Sequence, residues 1–278
     1  MTNLLPRVEF LVQSLFARGE SCPHCGSRST RRVARKHVVV RVRECSECEL
    51  CFTDPIYRSA LGGRFYDLLY AAEGMTTRTP DRSALAELLR THFAGTDKDF
   101  SARLPALRAA SPGPRLLELG SSWGYFLHQA RAAGFEATGL EIAKSRREYG
   151  ARELGVRIVA SFEELGDETF DLVYSAHVLE HFHDLSTVFD ELRARLAPGG
   201  RLAIEVPRFA DGADRRLASI GAVHPLGFSE SFFRKALPRH GLALVGFYAS
   251  WADVPERPRA EAGTPEILLL AARLEDTG

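Results

Sequence analysis

Between Ser175 and Asp184 the chain reads SAHVLEHFHD, with three histidines, a glutamate and an aspartate in ten positions. On a helix, His177 and His181 would lie one turn apart on one face with Glu180 beside them. Two imidazoles and a carboxylate in that order can hold a hydrolytic zinc ion. A second group lies nearer the start, where Cys22-Pro-His-Cys25 and Cys45-Ser-Glu-Cys48 are separated by nineteen residues. Each C-x-x-C turn aims two thiolates at one point, and two turns complete a tetrahedron for zinc. Cys22, Cys25, Cys45 and Cys48 are therefore the expected metal ligands. Four thiolates close the site and leave no position for water, so this zinc is expected to be structural. Cys51 is expected to be a small buried hydrophobe within Leu50-Cys51-Phe52, although it, His24 and His37 are further potential ligands.

The totals bound the rest. A chain of 278 residues can hold a catalytic domain and a small module. Lys+Arg and Asp+Glu both number 36, so no global charge draws it to nucleic acid or membrane. Locally, Arg28 to Arg43 carries seven basic residues and no acidic one. No segment approaches the ~20 apolar residues of a membrane span. Arg7 and Glu9 interrupt the first apolar run, which predicts an amphipathic helix, not a secretory signal. The five cysteines, all within the first 51 residues, suit metal ligation in a reducing compartment. A cytoplasmic protein is expected.

The elements that must carry these groups can be read from pattern. An alternating strand, His37 to Arg43, lies between the cysteine pairs. After Asp54-Pro55, Thr79 reads as a helix N-cap with Pro80 first in the helix, and Leu85, Leu88, Leu89 and His92 share a side. Ser111-Pro-Gly-Pro114 is the clearest boundary in the chain. Beyond it strands and helices alternate: RLLEL, EATGLEI, VRIVAS, FDLVYSA and RLAIEVP, then LALVGFYASW and EILLLAARL. This predicts an α/β, doubly wound, mostly parallel seven-stranded sheet. The expected division is residues 1–55 (first helix and zinc ribbon), 56–112 (helical linker and substrate lid) and 113–278 (catalytic sheet).

In such a sheet the ligand lies beyond the carboxyl ends of the strands, where strand order reverses. Glu118-x-Gly120-x-x-x-Gly124 closes the first strand, and Glu141 closes the second about 20 residues on, where a carboxylate can take ribose hydroxyls. Ser161-Phe162 follows the third. With LLELGSSWGYF, GLEI, FDLVYSAHVLEH and LAPGGRLAIEVP in order, the chain from about Pro114 onward resembles the class I S-adenosylmethionine-dependent methyltransferases, with their Rossmann-like sheet. The resemblance implies cofactor contacts from Glu118, Gly120, Ser121, Trp123 and Gly124. Further contacts would come from Glu141 and Ile142, from Ser161 and Phe162, and from Ala176 and His177. HVLEH then falls where the fourth strand gives way to a helix, beside the methionine part of the cofactor. Glu180 and His181 either shape that pocket or act in catalysis; a metal-assisted RNA ribose methyltransferase is a further alternative.

The front ribbon joined to this core also resembles the zinc-containing sugar C-methyltransferases of natural-product pathways. Their His-Glu-His stretch before a helix-opening Phe-Ser corresponds to Val223-His224-Pro-Leu-Gly-Phe228-Ser229. His224 matches the catalytic histidine, whereas Val223 replaces the glutamate and the family's third domain is not seen. The resemblance implies His224 first and His181 second as proton-handling groups, with Tyr66 or Tyr70 closing the pocket. The implied partner is a small-molecule substrate; the competing reading is a ribosomal RNA methyltransferase whose basic ribbon tracks phosphates.

Overall fold

In the computed structural model, the described residues are 21–36, 40–56, 78–209, 220–221, 223–261 and 264–274. The expected first helix, His37, Tyr66 and Tyr70 lie outside them. Among the described residues no helix is long and apolar enough to cross a membrane.

The described residues form two sheets. The larger has seven strands in the order β10-β11-β8-β7-β4-β5-β6. These are β4 (Arg115–Leu119), β5 (Glu136–Leu140), β6 (Arg157–Val159), β7 (Phe170–Ala176), β8 (Leu196–Pro207), β10 (Leu242–Tyr248) and β11 (Glu266–Arg273). From β4 to β8 the pairing is parallel, while β11 runs antiparallel to both β8 and β10. The strands are near-continuous apolar runs because helices cover both faces. This is the expected doubly wound, Rossmann-like architecture. Strand order reverses at β4, which pairs with β5 on one side and β7 on the other.

The smaller sheet has the order β1-β2-β3-β9. It comprises β1 (Thr30–Lys36), β2 (Val40–Cys45), β3 (Cys51–Asp54) and β9 (Leu226–Gly227), all antiparallel. Along β2, Val40 and Val42 are buried while Arg41 and Arg43 reach the buried carboxylate of Asp54 at 3.1 and 3.4 Å. The fourth strand of the ribbon sheet thus comes from far along the chain, within the segment expected to form the catalytic sheet. One core runs through both sheets: Cys45, Leu50 and Phe52 of the ribbon share it with Val173, Leu202 and Phe232. A second core, on the other face, holds Leu85, Leu107, Trp123, Phe126 and Tyr174.

One local expectation is corrected. The helix after the linker is Arg82–Arg90, and its N-cap is Asp81 rather than Thr79. The Asp81 carboxylate accepts the Ala84 N–H at 2.9 Å, a capping bond that Thr79, two positions earlier, is too far along the chain to make. The HVLEH stretch follows the end of β7, and His177 and His181 do not share a helical face. His177 is pinned at the end of β7 by its N–H bond to Glu205 O at 2.8 Å and takes a left-handed φ of 54°. Only a short 3-10 turn, Leu179–His181, follows, so the two rings point to different neighbours.

Candidate active site at the carboxyl edge of the sheet

The loop leaving β4 is built by glycine geometry. Gly120 has φ 74°, and a Cβ there would strike Val178. Gly124, at φ 81°, caps the helix Tyr125–Ala132, and a Cβ would lie 2.6 Å from Val156 Cγ2. Only glycine fits both positions. The N–H groups of Gly120 and Ser121 both donate to Leu140 O, at 2.8 and 3.0 Å, which folds the loop against the end of β5.

Glu141 sits on the next strand end. Its carboxylate accepts the N–H of Ser122 at 3.0 Å and of Ala143 at 2.8 Å. Ser122 in turn accepts Arg146 Nη1 on its hydroxyl at 2.6 Å. Burial raises the Glu141 pKa, opposed by those N–H groups and by Arg146. Each carboxylate oxygen keeps a second lone pair for a ligand hydroxyl. Glu118 is deeper: burial first, then the charge of Glu141, push its carboxyl well above the usual range. Among the described residues its Oε2 has no partner, and neither do the hydroxyls of Ser121 and Ser175. A buried acceptor without a donor is costly. The strand ends therefore offer unmet acceptors to a ligand that brings hydroxyl and ammonium donors, as S-adenosylmethionine does.

The remaining expected cofactor residues divide. Ile142 stands 47% exposed beyond β5, an apolar surface beside Glu141. Ser161 and Phe162 follow β6, with Phe162 half-buried against the core, and Ala176 ends β7. Trp123 lies deeper. Its indole is fully buried among Phe93, Tyr125 and Tyr149 and packs in the core beneath the loop.

On the acceptor side, the structure brings His181 and His224 together, with ring centroids 4.6 Å apart at 70°. His181 Nδ1 lies 2.8 Å from Val223 O. A carbonyl only accepts, so in the neutral ring Nδ1 carries the proton and the lone pair falls on Nε2. Burial lowers the His181 pKa to about 4, with the neighbouring His224 adding to the effect. Glu180 joins these two histidines in a cluster whose ligand-type atoms all lie within 4.8 Å of one another. Its carboxyl is raised to about 7 by burial.

His177 faces a second cluster that sequence reasoning missed. Its Nε2 is 3.4 Å from Glu266 and its Nδ1 3.9 Å from Glu180. Beside it, buried Glu205 pairs with Arg103 at 2.7 Å and accepts from Trp251 Nε1 at 3.3 Å. The signal available in the sequence was a lone glutamate inside the apolar run RLAIEVP. Arg103, Trp251 and Glu266 come from three other segments and carried no such signal.

The four expected metal ligands also meet. Cys22 and Cys48 lie with sulfurs 3.5 Å apart, as do Cys25 and Cys45, and all four are within 4.8 Å of one another. A tetrahedral zinc thiolate site needs sulfurs ~3.8 Å apart, so this donor set fits zinc. Cys51 is outside the cluster, buried on β3.

Two family models match the chain. One is "Methyltransferase domain", over residues 86–245, more than half of the length; the other is "Transposase zinc-ribbon domain", over residues 8–50. The ubiquinone biosynthesis O-methyltransferase of Paramagnetospirillum magneticum is 32% identical over 150 residues, 50% of this chain and 57% of that protein. This chain thus spans little more than half of that relative's length. The demethylmenaquinone methyltransferase of Thermus thermophilus is 29% identical over 177 residues, 60% of this chain and 76% of that enzyme. Among solved structures, a TehB-like S-adenosylmethionine-dependent methyltransferase from Corynebacterium glutamicum superimposes with a TM-score of 0.50 at 18% identity. It covers 69% of this chain and 96% of its own, a likeness of fold. The chain belongs to the methyltransferase-domain family.

Proposed function

We propose that the enzyme methylates a small biosynthetic molecule at carbon or oxygen, with His224 as general base and a structural zinc in the ribbon. The observation that carries this reading is the His181–His224 pair beside Glu180, next to the strand ends that bear Glu118 and Glu141. Residues 1–55 would be the metal module, 56–112 the lid bearing Tyr66 and Tyr70, and 113–278 the catalytic sheet.

When bound, S-adenosylmethionine supplies a methyl group already activated by a sulfonium. The protein must then align the acceptor and handle one proton. Glu141 would take the ribose hydroxyls, and Glu118 with Ser121 and Ser175 would meet the remaining donors. Ile142 and Phe162 would flank the base, while Ala176 and His177 would border the methionine end. His224 would remove the acceptor's proton as its oxygen or carbon bonds to the methyl carbon and the sulfur–carbon bond breaks. His181, its Nδ1 proton committed to Val223 O, would present Nε2 as an acceptor and orient either the substrate or the His224 ring. Four cysteine thiolates would hold the zinc.

Two relatives are named for ubiquinone and menaquinone chemistry, which supports a small acceptor. The sugar C-methyltransferase likeness supports another small acceptor, with Val223 as the departure. The RNA reading loses support from the ribbon's own ion pairs: Arg31 binds Glu44 at 2.9 Å, and Arg41 and Arg43 share Asp54. Transfer of labelled methyl from S-adenosylmethionine to demethylated quinols, nucleotide-linked keto sugars and ribosomal RNA tests this. Labelling of RNA alone would overturn the proposal.

A further inference from the structure

The segment that carries His224 is short and held from outside. β9 has two residues, and within its sheet its strand partner is β3 of the ribbon. Cys51 pairs with Gly227 and Phe52 with Leu226, and Thr53 N–H donates to Pro225 O at 2.8 Å, directly beyond His224. The upstream end of the same loop is gripped as well, by Lys36 Nζ on Ile220 O at 2.8 Å. A third ribbon contact reaches the other histidine's segment: Pro23 O accepts the N–H of Leu185, four residues past His181, at 3.0 Å.

The grips on β9 and on Leu185 lie beside the cysteine cluster. Cys45 ends β2, Cys48 lies three residues before β3, and the Cys45 N–H to Leu50 O bond at 2.9 Å closes the turn between them. A turn this small keeps its shape only while its metal ligands are held, because metal binding and folding are coupled in such modules. The cofactor loop is built differently. The bonds that fold it, from the N–H groups of Gly120, Ser121 and Ser122 to Leu140 O and the Glu141 carboxylate, involve no ribbon residue.

We propose that the zinc ribbon is the clamp that positions His224 against His181, so that the four-cysteine site governs the acceptor half of the active site and not the cofactor half. This rests on the reading of His224 as the acceptor-side base. Zinc loss would release β9 and spread the histidine pair while the Glu118–Glu141 edge stays assembled. The ribbon residues act through His224 and are positioning residues.

The test uses the full chain, zinc-loaded and chelator-stripped, with histidine ring signals followed by NMR and assigned through His181→Gln and His224→Gln. S-adenosylhomocysteine binding is measured on the same samples by calorimetry. On stripping, the His181 and His224 signals should shift or broaden while affinity for S-adenosylhomocysteine changes less than about threefold. Unchanged ring signals would overturn the proposal. So would loss of cofactor-product binding together with the ring signals, since the ribbon would then be only a requirement for folding. Should the stripped chain aggregate, zinc-loaded Lys36→Met decides: ring signals should move with one zinc and cofactor binding retained, and unmoved signals overturn the clamp. A His224→Ala variant that keeps full turnover would sink the base assignment but leave the ring-position result standing.

Discussion

The imidazole of His181 donates through Nδ1 to the carbonyl oxygen of Val223, 2.8 Å away, and Val223 is the residue immediately before His224. Val223 has no polar side chain, yet the position still serves a histidine through its backbone. A main-chain carbonyl cannot change protonation, so the His181 tautomer is fixed at every pH at which the protein is folded. The bond also ties the turn after β7 to the strand segment before β9.

His224→Ala should therefore lose roughly 10²–10⁴ in single-turnover rate, the contribution of one general base. It should still bind S-adenosylhomocysteine. His181→Asn should cost less, and its pH–rate profile from 5 to 8 should match the parent, because burial holds the His181 pKa near 4 and the ring is neutral throughout. If the acidic limb of the profile moves in His181→Asn, the proton belongs to His181 and the assignments exchange.

At the other end of the pocket, Glu141→Gln should weaken S-adenosylhomocysteine binding by about 1–3 kcal/mol, the scale of a lost hydrogen bond to a charged group. The carboxylate bridges two backbone N–H groups, so part of the loss comes from a loosened loop. Ser122→Ala removes the hydroxyl that Arg146 grips and leaves the Ser122 N–H in place. It should cost less than Glu141→Gln by calorimetry. Equal affinity in parent and Glu141→Gln would remove Glu141 from the ribose site.

The seven strands were legible because each is an apolar run with turn residues at its end, and parallel crossovers force the order. Gly120 and Gly124 were legible because a positive φ leaves a mark in composition. The cysteine pairs were legible because ligand spacing is local. His177 and His181 have a helix-like spacing, H-x-x-x-H, but the stretch crosses a strand end, where β-pairing to Glu205 overrides local propensity. Arg103, Glu205, Trp251 and Glu266 converge only through tertiary packing. The same is true of β9: two residues carry no strand signal of their own, and the pairing with β3 exists because the ribbon packs into the same core as the catalytic sheet.

The purified protein should contain one zinc per chain. Loss of Cys22, Cys25, Cys45 or Cys48 should abolish it, since each supplies one of four clustered sulfurs. Cys51→Ala should keep the metal, because Cys51 lies on β3 opposite Gly227 and outside that cluster. Metal analysis by mass spectrometry checks both statements. Two zincs per chain, or zinc loss on removing Cys51, would contradict the ligand set.

The last expectation concerns Glu180, whose carboxyl is 3% exposed and whose Oε2 has no partner among the described residues. Burial raises its pKa from 4.5 to about 7. His177, His181, His224 and Glu266 are the titratable groups facing it. A folded-state pKa above the unfolded value means that the folded chain binds the proton more tightly. Stability from this group is then full below pH 4.5 and is lost as pH rises toward 7 and beyond, where a buried charge must be carried. His181 acts in the opposite sense: its folded pKa of about 4 lies below 6.5, so it removes stability as pH falls through that interval. Glu180→Gln keeps the shape and deletes only the first effect. It should raise the midpoint of thermal unfolding at pH 8, by a stabilisation of about 1–3 kcal/mol, and change it little at pH 5. If turnover falls in the same variant, the buried carboxylate is retained for chemistry at a cost in stability, as expected of a site tuned for function. Equal midpoints at pH 8 would show that Glu180 is already compensated in the folded chain.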